Sequence, residues 1–191
     1  MKIHAKTLLL CLIVPLALAA NAQHQTFTAD PGASSIAFSL SGSHSVKGVF
    51  HLSSARIDFN RTAQTISGNV VVGADSGVSG EKNRDAKMNN SVLETDKFAE
   101  ITFVPKFFSG TLAASGDSTL QVSGIFTLHG AAHDLTLPMQ VHIENGRMTA
   151  KGHFTVPYVQ WGLKDPSIFI LKVAKEVGVD LKLAGQLSPA N

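Results

Sequence analysis

The residues of this sequence best suited to chemistry are its histidines. Of the eight present, His129 and His133 are four positions apart, the spacing at which two histidines can bind zinc from one face of a helix. Gly130 lies between them and indicates a turn, so the helical spacing does not apply. The histidines are therefore predicted to be solvated or to occupy turns, and the sequence predicts no metal site.

Two adjacent pairs of opposite charge are also candidates for a site. Arg84 and Asp85 could clamp an anion or act in acid–base catalysis. The favoured interpretation instead places Asp85 near a helix start and bonds Arg84 to neighbouring carbonyl groups. Lys164 and Asp165 stand directly before Pro166, an arrangement typical of a turn. Both pairs are therefore predicted to be structural.

Motifs with an established catalytic geometry are absent from the sequence. It contains no G-x-S-x-G elbow, no G-x-G-x-x-G loop, no Walker loop and no H-E-x-x-H zinc motif. The prediction is that the protein is not an enzyme, has no catalytic residue and holds no cofactor.

The first 22 residues have the pattern of a secretory signal peptide. Lys2 and Lys6 precede an apolar run over 8–18, which ends in a stretch of small residues. A membrane anchor is the alternative, but the run is short and contains Pro15. Cleavage is expected after Ala22, which gives a periplasmic or secreted protein with no stable membrane anchor.

Removal of the signal peptide changes the charge and the cysteine content of the protein, and both changes limit its possible functions. Lysine plus arginine falls from 16 to 14, which equals the 14 acidic residues, so there is no electrostatic case for binding nucleic acid. Cys11, the only cysteine, is lost as well, which leaves no disulfide or thiolate chemistry. Residues 23–191 are long enough to form one domain with its own core. Their 11 phenylalanines, against one tryptophan and one tyrosine, indicate a large dry interior.

Alternation of apolar and polar residues dominates this domain. In DLTLPMQVHI, residues 134–143, apolar side chains fall on one face and polar ones on the other, as in a half-buried strand. Similar segments and the turns between them, of which Asn145–Gly146 is the clearest, predict eight or nine strands in hairpin order. Polar residues 81–98 predict one or two short helices, and 161–175 a loop that runs into an apolar stretch.

Almost no helix is available to cover the dry faces of these strands. Consecutive hairpins therefore favour an all-β fold in which one antiparallel up-and-down sheet closes into a barrel, and a two-sheet sandwich stays open as the alternative. Gly68, Gly124, Ala150 and Gly152 are in phase with the apolar residues. Their small size predicts free space inside the barrel.

Three segments of the chain occur in a specific order: HSVKGVF (44–50), RDAKM…LETDKFAEITF (84–103) and VSGIFTLHGAAHDLTLPMQV (122–141). Together they resemble the YceI-like family, the lipocalin-like, polyisoprenoid-binding proteins of the bacterial periplasm. The resemblance covers essentially all of 23–191. It implies an extended eight-stranded lipocalin-like barrel around a tunnel for an isoprenoid chain or similar amphiphile, without catalysis. One departure is His133, which stands where the family often has lysine.

The leading hypothesis is therefore an exported binding or carrier protein that holds an apolar chain, such as a polyprenyl lipid, a quinone or a fatty acid. Residues 88–98 and 161–171 are predicted to close the ends of the barrel. The sequence permits a homodimer without requiring one. The predicted ligand-binding residues are Phe38, Leu40, Val70, Phe103, Phe126, Leu128, Leu135, Leu137, Met139, Phe154, Val156 and Trp161.

Two alternatives stand beside the carrier. A barrel or sandwich with a filled core could act as an envelope stress or adhesion module, and it would have no room for an apolar ligand. An enzyme could use His51, His129 or Asp85 on a bound lipid head group.

Overall fold

The computed structural model describes residues 24–42, 45–168 and 172–190. The predicted signal peptide, His44 and part of the 161–171 loop lie outside these residues. A short helix α1 (Lys82–Lys87) continues into a π-helical turn, Met88–Leu93. The strands are β1 (His24–Ala29), β2 (Ser35–Leu40), β3 (Val46–Phe50), β4 (Leu52–Asn60), β5 (Thr65–Gly73), β6 (Glu100–Ser109), β7 (Gly116–Leu128), β8 (Ala131–Glu144), β9 (Arg147–Val156) and β10 (Val177–Pro189).

These strands occupy eight positions in one closed antiparallel barrel. β1 and β2 are successive halves of one position, because β1 pairs with the C-terminal half of β10 and β2 with its N-terminal half. β4 and β3 share the next position in the same way, since they pair with β1 and β2. The other strands follow in chain order, and pairing of β1 with β10 closes the barrel. The predicted eight-stranded up-and-down barrel is confirmed, and the sandwich is excluded.

Local sequence explains the breaks and turns of this wall. β1 and β2 are separated by the 3₁₀ turn Pro31–Ala33, where a carboxylate oxygen of Asp30 accepts a hydrogen bond from the Gly32 N–H at 2.9 Å. β8 and β9 are joined by Asn145–Gly146, and these two residues have φ of 49° and 71°. Positive φ at both positions is what a type I′ hairpin turn requires. The hairpin predicted from this dipeptide is therefore confirmed.

The glycines in phase with the apolar residues admit neighbouring groups instead of free space. A Cβ on Gly68 would lie 2.1 Å from the backbone oxygen of Arg56, and one on Gly124 would lie 2.3 Å from a backbone oxygen of β6. At Gly152 an added Cβ would lie 2.6 Å from the Sδ of Met139. The prediction that these positions leave the barrel hollow is wrong, because adjacent backbone or a neighbouring side chain takes the space.

One half of the barrel is solid. Its side chains form one apolar cluster that links β1 and β4 to the β8–β9 hairpin. Phe27 in this cluster is 1% exposed, and Ala150, the fourth small residue predicted to leave room, is 6% exposed. Other members of the cluster are Phe59, Phe108, Leu112, Leu120, Met139, Val141, Ile143, Met148 and Leu183. These close contacts fill the interior of this half with side chains.

Candidate ligand cavity

The other half of the barrel encloses a cavity of about 520 Å³. Its volume lies within the ordinary range of small-molecule sites, and its wall is formed almost wholly by aliphatic and aromatic side chains. Of the predicted ligand-binding residues, those that line it are Phe38, Leu40, Val70, Phe103, Phe126, Leu128, Leu135, Leu137, Phe154 and Val156. Met139 and Trp161 are not among the lining residues.

The floor of the cavity is the boundary with the solid half. Along β8, Leu137 lines the cavity, whereas Met139, the next residue on the same face, does not line it and lies over Gly152. Along β10 the same boundary falls between Leu181 and Leu183. Within the described ranges, the cavity therefore ends blindly against packed side chains.

The opposite end is covered by a second, smaller apolar cluster. Leu93 of the π-helical turn and Leu163, which follows β9, are 8% and 4% exposed in it. They come from the two segments that the sequence predicts to close the ends of the barrel. Both segments cover the same end, and the solid core closes the other.

A seam in the barrel wall explains the place of Trp161. β8 and β9 are paired from the hairpin as far as Met139 and Gly152, and no further pairing between them is formed by the residues described. The indole of Trp161 stacks on the imidazole of His133 with ring centroids 3.9 Å apart and an interplanar angle of 6°. It also lies 5.8 Å from the ring of Phe126, which lines the cavity. His133 is the cross-strand partner of Phe126 and has the same strand phase as the lining residue Leu135, so Trp161 packs on the cavity-facing side of the wall beside this seam and is a close spectroscopic reporter of the cavity.

A second seam lies along the outer edge of β3. Val49 on this edge forms an isolated bridge with Val78, and each N–H donates to the other carbonyl at 2.9 Å. A Cβ on Gly77 would lie 2.6 Å both from the Phe50 ring and from the Cε of Met88. Glycine at this position thus lets the Phe50 ring of β3 and the Met88 side chain of the π-helical turn approach the same backbone, which links β3 to the turn that continues α1.

The cavity opens between α1 and the segment near Pro166. Ile168, on the far side, is 53% exposed although it lines the cavity. Lys87 Nζ donates to the backbone oxygen of Pro166 at 3.1 Å and so bridges the two sides of the opening. The polar lining residues of the near side are Ser79, Asn83, Arg84 and Lys87. The sequence offers Arg84 as part of an anion clamp, with a structural role favoured, and no local pattern marks Ser79, Asn83 or Lys87 as lining a site.

The two pairs of adjacent opposite charge have the structural roles predicted for them. Arg84 donates from Nε to the Ser79 hydroxyl at 2.7 Å and from Nη2 to the Ser79 backbone oxygen at 2.8 Å. The Asp85 carboxylate accepts hydrogen bonds from the N–H and hydroxyl of the same Ser79. In the second pair, the Asp165 carboxylate accepts a hydrogen bond from the Ser167 N–H at 2.9 Å and so forms a turn. Hydrogen bonds from Ser167 hold the pKa of Asp165 below its usual value.

An ion-pair cluster fastens the covered end. Glu94, in the left-handed region with φ of 47°, has one carboxylate oxygen 2.8 Å from Nε2 of His129. Lys97 Nζ donates to the other oxygen at 2.6 Å. Hydrogen bonding by Lys97 first, and by His129 second, lowers the pKa of Glu94. The contacts join the segment after the π-helical turn to the β7–β8 turn, which assigns His129 a structural partner.

Tyr158 is the only tyrosine of the chain and part of the cavity lining. Its side chain is almost completely buried, and its hydroxyl donates to the backbone oxygen of Ala174 at 2.8 Å. Desolvation, with a smaller contribution from the negative charge of Asp165, raises the pKa of Tyr158 to about 12. Burial penalises the phenolate, so the neutral form is the one that the fold holds.

We expect an ultraviolet titration of the native protein to show phenolate formation near pH 12 instead of near pH 10. The pKa of Tyr158 is higher in the folded state than in the unfolded state. Its contribution to the stability of the folded protein is therefore complete below about pH 10 and is lost as pH rises through about 12. Tyr158→Phe must abolish the signal. A midpoint near 10 in protein that is still folded would contradict this environment.

The described residues contain neither a membrane-spanning helix nor a cluster of metal-ligating side chains. None of their helices is long and apolar enough to cross a membrane. Among the same residues, no three His, Cys, Asp or Glu side chains are grouped so that they could hold a metal ion.

Comparison with protein families matches residues 27–184 to the YceI-like domain. No curated protein matches the sequence. Among solved structures, BcnA from Burkholderia cenocepacia is similar, with 20% identity and a TM-score of 0.70 over 83% of this chain and 99% of that one.

Two further structures have the same architecture. A polyisoprenoid binding domain from Saccharophagus degradans, implicated in plant cell wall breakdown, is 19% identical, with a TM-score of 0.68 over 85% of this chain and 98% of its own. The YCEI protein of Campylobacter jejuni is 13% identical, with a TM-score of 0.58 over 69% of this chain and 79% of its own. At these identities the structures bear on the fold alone.

Proposed function

Because this chain belongs to the YceI-like domain family, we propose that it is a binding protein that holds the apolar chain of an isoprenoid or similar amphiphile and catalyses no reaction. The observation that carries the proposal is the cavity of about 520 Å³ with apolar walls. A barrel with a filled core, the alternative for a stress or adhesion module, would have no such space. The polyisoprenoid binding domain of Saccharophagus degradans shares the fold, and this likeness supports the same class of ligand.

Apolar burial supplies enough free energy for such a ligand. At about 0.8 kcal/mol per buried CH₂, each five-carbon isoprene unit contributes roughly 3–4 kcal/mol before the costs of ordering. Three units bring the gross contribution to roughly 10–12 kcal/mol. Association costs of about 4 kcal/mol, the low end of their range, then leave roughly 6–8 kcal/mol, which corresponds to micromolar to tens-of-micromolar binding. The wall itself cannot distinguish one apolar chain from another, so selectivity depends on the floor and the opening of the cavity.

The place of action that we propose is the periplasm or the extracellular space. The support is the signal-peptide pattern of residues 1–22, with cleavage after Ala22. A monomeric carrier satisfies every part of the proposal, and a homodimer is not needed for it.

The direct test is to identify what the protein holds. We expect organic extraction of protein purified from its native envelope, followed by mass spectrometry, to release close to one equivalent of a lipid with an unbranched or isoprenoid chain. The extracted protein should then bind farnesol and shift the fluorescence of Trp161, the only tryptophan. An empty extract together with no binding of prenols would favour the non-binding module.

A further inference from the structure

The polar groups that line the cavity are strongly asymmetric in position and charge. Apart from the uncharged Thr102 and Tyr158, the polar lining residues are Ser79, Asn83, Arg84 and Lys87, which all lie in one short segment at the opening. Arg84 and Lys87 are three residues apart in α1, a spacing that places two side chains on the same side of a helix. The lining includes these two side chains, which carry a positive charge at neutral pH, and it includes no carboxylate. The charged end of the site is therefore cationic.

The nearby acids are already engaged with the backbone. Glu81 caps α1, and its two carboxylate oxygens accept from the N–H groups of Asn83 at 3.0 Å and Arg84 at 2.7 Å. Asp85 is held by Ser79. Of the ion pairs formed by the described residues, none includes Arg84 or Lys87. These two cations at the opening thus form no direct ion pair with a described carboxylate, and Asp85 reaches Arg84 only through the Ser79 hydroxyl.

Both cations are nevertheless held in place. Two hydrogen bonds to Ser79 fix the Arg84 guanidinium through Nε and Nη2, and Nη1 has no hydrogen-bond partner in the described part of the chain. One bond from Lys87 Nζ to the Pro166 oxygen leaves two of its three protons for another acceptor. Fixed donors with remaining protons are suited to charge-assisted hydrogen bonds with an anion.

We propose that Arg84 and Lys87 bind the anionic head group, a phosphate or a carboxylate, of the amphiphile whose chain fills the cavity. This inference rests on the proposed function and adds the chemical class of the ligand to it. The chain enters past α1, its far end meets the floor at Met139, and its charged end stays at the opening. Binding therefore selects an acid or a phosphate ester over the alcohol with the same chain.

The test compares matched ligands that differ only in the head group. Farnesyl phosphate, farnesoic acid and farnesol are titrated into the delipidated protein, with Trp161 fluorescence as the readout. We expect the phosphate to bind at least about tenfold more tightly than the alcohol in low salt. The difference should shrink in 1 M salt, where the Debye length is only about 3 Å. Tighter binding of only one of the two anions identifies which head group the site prefers.

Variants at Lys87 test the assignment without disturbing the Ser79 contacts. Lys87→Gln should reduce the preference for the anion several-fold, and Lys87→Glu should reverse it, so that farnesylamine binds more tightly than farnesyl phosphate. Arg84→Gln should act like Lys87→Gln, and a thermal melt shows whether the loss of its bonds to Ser79 unfolds α1. Lys82→Gln, an exposed cation of α1 that does not line the cavity, should leave every affinity unchanged.

The outcomes separate the inference from the function on which it rests. Equal binding of farnesol and farnesyl phosphate to the wild-type protein would overturn the head-group site while leaving the carrier intact. A loss of preference in Lys82→Gln as large as in Lys87→Gln would also overturn it, since the effect would then reflect general surface charge. Failure of all three ligands to bind would overturn the proposed function itself.

Discussion

Val179→Trp is expected to weaken the binding of a chain ligand about 1000-fold while the barrel stays folded. Val179 lines the cavity and pairs across β10 with Phe38 on one side and Phe154 on the other, both of which also line it. An indole at this point displaces about five carbons of the ligand, which at about 0.8 kcal/mol each is about 4 kcal/mol. Isothermal titration with farnesol or a bound fatty acid measures the effect.

The matched control for this variant is Lys182→Trp. Lys182 lies on the same strand but is exposed on the outer face of the barrel, so the added indole should change neither affinity nor stability appreciably. The cavity has room for an indole at position 179, so the melting temperature of Val179→Trp is also expected to be close to that of the wild type. Undiminished binding in folded Val179→Trp protein would mean that the ligand lies elsewhere.

Met139→Ala should both destabilise the protein and lengthen the chain that it accepts. Met139 is 6% exposed, and its sulfur occupies the space over Gly152 directly below the lining residue Leu137. Loss of a buried methionine side chain costs about 2–5 kcal/mol in the free energy of unfolding. The space released admits about three more carbons, worth about 2.4 kcal/mol, so the affinity for geranylgeraniol relative to farnesol should rise about 60-fold.

Met148→Ala provides a control of the same chemistry in the solid half. Met148 is 8% exposed and belongs to the same cluster, but it does not line the cavity and pairs with Ile143 and Gly185 next to the hairpin. Chemical denaturation should show a loss of stability similar to that of Met139→Ala. Chain-length preference should stay at the wild-type value, and an equal change in both variants would show that the floor is not at Met139.

Much of the fold could be predicted from the sequence because the two-residue period is a local property. Strand β8 and the Asn145–Gly146 turn follow from alternation and turn residues, and hairpin order favours the closed barrel while leaving the sandwich open. The inward face was also predictable, and for this reason residues such as Phe126 and Phe154 do line the cavity. What the period cannot give is depth along the barrel, since Leu137 and Met139 have the same phase and lie on opposite sides of the floor.

The remaining differences between the sequence predictions and the structure arise from contacts between segments that are distant in the sequence. Gly124 has the phase of an interior residue, but its lack of a side chain serves the close approach of the β6 backbone. Trp161 is apolar and near the cavity, but its stacking on His133 brings the segment after β9 onto β8 beyond the point where the pairing of β8 with β9 ends. The cationic rim of α1 is continuous with the π-helical turn, which is linked to β3 through the approach of Met88 and Phe50 to Gly77. None of these contacts has a signature within a short window of sequence.

Closure of the barrel by β1 and β10 joins the first and last described strands, and the N–H of Ala190 donates to the oxygen of His24 at 3.1 Å. The sheet therefore has two unpaired edges until the final strand has been synthesised and folded into place, and such edges are prone to intermolecular pairing. Folding must wait for a contact that spans the chain, which makes it slow. The adjacent ends also make this domain a good candidate for circular permutation, with a short linker between them and new termini at Asn145–Gly146.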